Sequence, residues 1–159
     1  MWVDALYEKV RVDDRVESMA VVIATGVNLE GRREVLGLGV IPTESEEGWA
    51  QFFKSLKERG LRGVKLVISD AHTGLKAAVR KVHFYRNVSA NPIERLNLEI
   101  RRRTRVVGIF PHAGSCLRLI GMLLVEKNED WLTDGKAYLT FDDSPAEESA
   151  KILSLAVSQ

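Results

Sequence analysis

The order of secondary-structure signals along this 159-residue chain predicts an α/β domain, a mixed sheet with helices on its flanks. Three observations carry that expectation. The first forty residues alternate strand-forming runs with turns. A short, wholly apolar run, VKLVIS (64 to 69), follows an amphipathic helical stretch, as a central parallel strand does. Further helical patterns then come one by one after strands, in the manner of βα units.

WVDALYEKVRV (2 to 12) is rich in strand-formers, with Asp4 near its start. MAVVIATGVN (19 to 28) is a continuous apolar strand, expected to be buried on both faces. NLEGR (28 to 32) is a glycine-containing turn, and REVLGLGVI (33 to 41) is the return strand of an antiparallel meander. Thr43 and Glu46 fit a capping box. After them Trp49, Phe52, Phe53 and Leu56 recur at helical spacing until Gly60 stops the helix. Asp70 stands at the end of VKLVIS. GLKAAVRK (74 to 81) predicts a short helix and VHFY (82 to 85) a further strand. The next helix lies in NPIERLNLEIRRRTRVVG (91 to 108) and opens on Asn91 and Pro92. A last helix is expected from Ser115 to Trp131. Residues 1–139 form the core and 140–159 an acidic tail. The order β-β-β-α-β-α-β-α-α is that of a ribonuclease H-like domain.

Composition narrows the function classes. The chain is 45% hydrophobic and 28% charged, ordinary for one globular domain with its own core. The net charge is +1, so no global field advertises a nucleic-acid partner, yet residues 101 to 105 read Arg-Arg-Arg-Thr-Arg. A concentrated basic patch binds phosphates even where the total charge cancels. Cys116 is the only cysteine, which excludes an internal disulfide and a multi-cysteine zinc site. The first residues lack the order of a signal peptide, and LIGMLLV (119 to 125) is too short to span a bilayer. The expectation is a cytoplasmic protein with no membrane partner.

Three carboxylates stand out, each with a plainer alternative. Aspartate is depleted in strands, so Asp4 either faces water on an edge strand or is paired or metal-bound on an inner one. Asp70 ends an apolar strand, where α/β sheets gather ligands, but an aspartate there also caps helices. Glu94 follows Asn91 by three residues, a capping-box variant. On its helix Ile93, Leu96 and Ile100 form an apolar stripe, while Glu94, Asn97 and Arg101 form a polar one. Glu94 and Arg101 are two turns apart, about 10 Å along the axis. This spacing suits a metal-bound carboxylate beside a gripped phosphate, or simply a solvated face.

At this point the motifs resemble the catalytic domain of the Mutator-type insertion-sequence transposases, a DDE family with a ribonuclease H-like core. WVDALYEKVR looks like the family's first-aspartate strand. GRREVLGLGV, LKERGLRGVKLVISDAHTGLKAAV and VHFYRN look like its central stretch, and NPIERLNLEIRRRTRVVGIFP like its glutamate helix. The resemblance covers most of residues 2 to 139. It implies that Asp4, Asp70 and Glu94 are the catalytic triad and hold two Mg²⁺ ions, with Mn²⁺ as a substitute. It also implies DNA contacts by Arg101, the basic partner near the cleaved end. The neighbouring Arg102, Arg103, Arg105, Asn97 and His72 are candidates for the same DNA surface. The implied partners are transposon ends, target DNA and a further copy of the chain.

Three departures from the family pattern accompany the match. The chain begins three residues before Asp4, without the family's upstream DNA-binding region. VHFYRN runs almost directly into SANPIERLN, without the family's large helical insertion. Arg80 stands where the family's Cys-x-x-His motif has its cysteine, leaving His83 without that partner. The expectation is therefore a truncated, internally deleted transposase catalysing metal-dependent DNA cleavage and strand transfer. The alternatives are a non-catalytic DNA-binding or regulatory remnant, and a ribonuclease H-like nuclease without strand transfer. His112 supports no specific role, and Trp131 is assigned to the core or a dimer face.

Overall fold

The structure is a computed structural model, described here for residues 1–70, 72–81, 86–87, 93–134 and 138. Three long strands come first: β1 (Trp2–Val12), β2 (Arg15–Val27) and β3 (Arg33–Ile41). Helix α1 (Glu46–Glu58), strand β4 (Val67–Ile68), helix α2 (Thr73–Lys81) and strand β5 (Arg86–Asn87) follow. Helices α3 (Glu94–Thr104) and α4 (Ala113–Thr133) complete the described chain. The sheet order is β3-β2-β1-β4-β5, antiparallel across the first three strands and parallel from β1 to β5. The mixed, helix-flanked sheet expected from the sequence is present.

Alternation along the strands sends side chains to two cores. On one face Trp2, Leu6, Val10, Val21 and Ile23 meet Leu96 and Ile100 of α3 and Cys116, Ile120 and Leu124 of α4. On the other, Val3, Val22 and Ala24 meet Trp49, Phe52 and Phe53 of α1 and Leu75 and Val79 of α2. The apolar run of β2 is buried on both faces because helices cover both. A slip of one residue in β1 would exchange its two faces, so this double burial fixes the register.

Several boundaries differ from expectation. Strand β2 starts at Arg15, and the tip of its hairpin with β1 is Asp13–Asp14, both at positive φ (44° and 63°). That is the backbone of a two-residue primed turn, made here without glycine. The cap of α1 is Ser45, whose hydroxyl accepts from Gly48 N at 3.1 Å, two residues beyond the predicted Thr43. Both positions offer a hydroxyl, and the turn selects Ser45. The strand expected over 82–85 and the cap residues Asn91 and Pro92 lie outside the described residues, as does the tail 140–159. Trp131 belongs to the fold: the Arg33 guanidinium lies 4.3 Å from its ring centre and 5.9 Å from that of Trp2, tying β3 to α4.

Candidate active site

Strands β1 and β4 run side by side in the same direction, in register at Trp2 and Ile68. Two residues beyond that pair come Asp4 and Asp70. The chain carries α1 and α2 over one face and α3 and α4 over the other, so the crevice beyond β4 is a switch point of the kind where α/β sheets take ligands. The edge-strand alternative for Asp4 is overturned, since β1 is the middle strand of five.

Asp4 is half-buried, and its pKa is pushed up to about 6. Burial is the main cause, and the charges of Asp70 and Glu44 add to it. Two donors oppose the rise. Ala5 N–H donates to Oδ1 at 2.9 Å, and Asn97 Nδ2 donates to Oδ2 at 2.5 Å.

Asp70 is exposed. The His72 carbonyl accepts from Lys76 N at 3.1 Å, which puts the start of α2 at His72 and leaves Asp70 two residues upstream of the cap position. His72 Nδ1 lies 3.8 Å from Glu44 Oε2, so this loop histidine faces a carboxylate.

Glu94 is exposed at the first position of α3. The residue before it, Ile93, occupies the cap position without a side-chain hydrogen bond. Helix α3 runs alongside β1 in the same direction: Asn97 reaches Asp4, and seven residues later Thr104 Oγ1 donates to Glu8 Oε1 at 2.7 Å. Glu94 sits one turn before Asn97 on the same side of the helix. It is not among the charges that act on Asp4. Among the described residues, no three His, Cys, Asp or Glu side chains gather closely enough to share a metal ion. The structure thus brings Asp4 and Asp70 into one electrostatic environment and leaves Glu94 at its rim.

The basic row is on the surface: Arg101, Arg102, Arg103 and Arg105 are all exposed, while Thr104 between them turns inward. Asn97 differs from expectation. Instead of facing DNA beside Arg101, it is only 7% exposed and bonded to Asp4, because its side of the helix packs on β1.

Glu44 was not singled out in the sequence. It lies in the link from β3 to α1 with its side chain 14% exposed, and its carboxylate adds to the burial that raises the Tyr7 pKa. A Cβ on Gly74 would collide with the Glu44 carbonyl oxygen, so the first turn of α2 rests directly on this link. Its acidic surroundings, Thr-Glu-Ser-Glu-Glu, read as helix-start signals and concealed it.

The donors present suit a hard divalent cation. Such ions take a few carboxylate oxygens and complete their shells with water and phosphate. A carboxylate held half-buried next to two others is a place where a cation relieves unfavourable charge.

Comparison with known proteins gives a consistent picture. A family model described as Transposase, Mutator family matches residues 1–87 and 82–134. The transposase for insertion sequence element IS406 of Burkholderia multivorans is 32% identical over 226 aligned positions, covering 89% of this chain and 58% of that protein. The transposase for IS256 in transposon Tn4001 of Staphylococcus aureus is 32% identical over 223, covering 87% and 57%. The chain spans somewhat over half the length of these relatives. Their alignments are longer than the chain itself, so they contain a block with no counterpart here, and the two family matches meet at 82–87, just before α3. In structure the chain is similar to the catalytic core domain of BIV integrase, with a TM-score of 0.51 at 15% identity over 99% of this chain and 97% of that one. This establishes the ribonuclease H-like fold.

Proposed function

Because the chain belongs to the Mutator family of transposases, we propose that it is a DDE-type catalytic core for DNA cleavage and strand transfer. Asp4 and Asp70 hold divalent metal, with Glu94 as the third carboxylate. The exposed arginines of α3 grip the DNA backbone. One observation carries the reading: a half-buried aspartate on the central strand, its pKa raised to about 6 beside two further carboxylates. A surface ion-pair network would hold such a carboxylate low, whereas a cation site holds it poised for charge compensation.

A bound Mg²⁺, or Mn²⁺ in its place, would supply positive charge for the attacking and leaving oxygens of an in-line phosphodiester displacement. The residues of the chain supply position. Asp4 is fixed by Ala5 N–H and Asn97, and Asp70 projects from the strand end towards solvent, where a phosphate can approach. Arg101 lies two turns beyond Glu94, so a backbone phosphate held there leaves a neighbouring one near the carboxylates. Water is the nucleophile for cleavage and a DNA 3′-hydroxyl for joining.

A non-catalytic DNA-binding remnant is the second reading. It is favoured by the block that relatives carry and this chain lacks, and by the position of Glu94 at the rim. Incubation of supercoiled plasmid with the purified chain, Mn²⁺ or Mg²⁺, and an Asp70→Asn control separates the two. Metal-dependent nicking lost in the variant supports a catalytic core. Salt-sensitive DNA binding with no nicking in either protein leaves the remnant. Joining of pre-cleaved ends then distinguishes a transposase from a nuclease.

A further inference from the structure

Asn97 combines two features that packing alone does not require. Its side chain is 7% exposed, and its Nδ2 bonds to a carboxylate 93 residues away in sequence. Its Oδ1 is buried without a hydrogen-bond partner among the described residues. An unpaired buried amide oxygen is costly, and a leucine of similar volume would fill this place beside Leu96 and Ile100 without that cost.

The geometry also defines what the amide does to Asp4. Oδ1 of Asp4 is held by Ala5 N–H and Oδ2 by Asn97, so both oxygens are anchored and the carboxylate plane cannot turn. Each oxygen keeps a further acceptor site. The second helix-to-strand bond, Thr104 to Glu8, keeps α3 in step with β1 but touches neither Asp4 nor its partners.

Resting on the reading of Asp4 as a metal-holding residue, we propose that Asn97 is a positioning residue for it. The amide fixes the Asp4 carboxylate in the orientation that offers its remaining lone pairs to a divalent cation. Glu94 and Asn97, one turn apart, then form a working pair on one helix face, the first for the ion and the second for its ligand.

Groups that orient metal ligands typically contribute 10–100-fold to affinity or activity. The test is Mn²⁺ titration of the full chain by calorimetry, with thermal melts in the absence of metal, for the parent, Asn97→Leu and Thr104→Val. The expected result is a metal-free melting temperature for Asn97→Leu equal to or above that of the parent. Its Mn²⁺ dissociation constant should nonetheless be weakened about 10–100-fold. Thr104→Val should lower the melting temperature and leave the Mn²⁺ constant unchanged, which separates positioning from a general loosening of α3. A Mn²⁺ constant for Asn97→Leu within about threefold of the parent overturns the inference while leaving the metal site standing. A parent that binds no Mn²⁺ overturns the metal reading and the inference together. If Asn97→Leu does not fold, Asn97→Ser is measured in its place, since a serine hydroxyl is too short to reach Asp4 and the same weakening is expected.

Discussion

Replacing Asp4 with asparagine should stabilise the metal-free domain at neutral pH. The folded state raises the Asp4 carboxyl from 3.8 to about 6, chiefly by burial and then by the charges of Asp70 and Glu44. That change corresponds to roughly 3 kcal/mol at about 1.36 kcal/mol per pH unit. Solvent reaches part of the group, and screening brings the figure to about 1–2 kcal/mol. The sign follows from linkage: the folded pKa lies above the unfolded one. The contribution of Asp4 is therefore intact below about pH 4 and lost as pH rises through about 6. An asparagine cannot ionise, and Asn97 can turn its amide over so that its unpaired Oδ1 accepts from the new side chain. At pH 7.5 without metal, Asp4→Asn should melt about 2–8 °C above the parent, on about 2–4 °C per kcal/mol for a domain of this size. At pH 4 the difference should shrink towards zero. Saturating Mn²⁺ should reverse the order, because only the parent gains binding energy, about 2.7 kcal/mol at a hundred times the dissociation constant. Thermal melts from pH 4 to 8 with and without Mn²⁺ test this. A variant no more stable than the parent at pH 7.5, with a parallel pH profile, would refute the claim that Asp4 is held against its charge.

Two further outcomes follow from the same geometry. Gly74→Ala sets a methyl against the Glu44 backbone, which cannot swing aside as a side-chain tip would, and should cost about 1–3 kcal/mol in chemical denaturation; a neutral result would mean that α2 is free to move off the β3–α1 link. Replacing Arg101, Arg102 and Arg103 together with alanine should weaken DNA binding about equally for unrelated sequences. The slope of log affinity against log salt should fall by about 0.9 for each phosphate that the variant no longer neutralises, measured by fluorescence anisotropy at several salt concentrations.

What the sequence shows and what it conceals divide along physical lines. The meander and α1 were legible because burial imposes period: β2 is apolar without a break from Met19 to Ala24, and Trp49, Phe52, Phe53 and Leu56 repeat as a helix must. The tip of the first hairpin was not, because Asp13 and Asp14 adopt positive φ without glycine and Arg15 to Ser18 are exposed, with Val16 the one apolar residue among them. The α1 cap was misplaced because Thr43 and Ser45 offer the same hydroxyl two residues apart. Asp4 and Asp70 could be named as candidates from the chemistry of carboxylates at strand positions. Their neighbour Glu44 could not, since nothing in a helix-start sequence says that the loop folds back over β1. Asn97 illustrates the limit most clearly. A polar residue next to an apolar stripe faces either water or a buried polar partner, and the helical spacing is identical in the two cases.

The position of β1 in the sheet explains why those unread residues matter. A carboxylate on an edge strand would be solvated and would place no demand on its surroundings. On the middle strand, between β2 and β4 and beneath α3, Asp4 loses solvent on several sides. The fold answers with two donors, which hold the group without neutralising it, and surrounds it with the negative charge of Asp70 and Glu44. An arrangement selected for stability alone would put a cation or an apolar side chain there. The deficit of positive charge is local, lies at the strand ends and opens towards the exposed Asp70. On the proposed function, a divalent ion arriving with DNA phosphate would meet that deficit, while the arginines of α3 would meet the remaining phosphate charge. That proposal makes the two halves of the site act on one substrate: neither the acidic crevice nor the basic row would then hold DNA in a reactive position without the other.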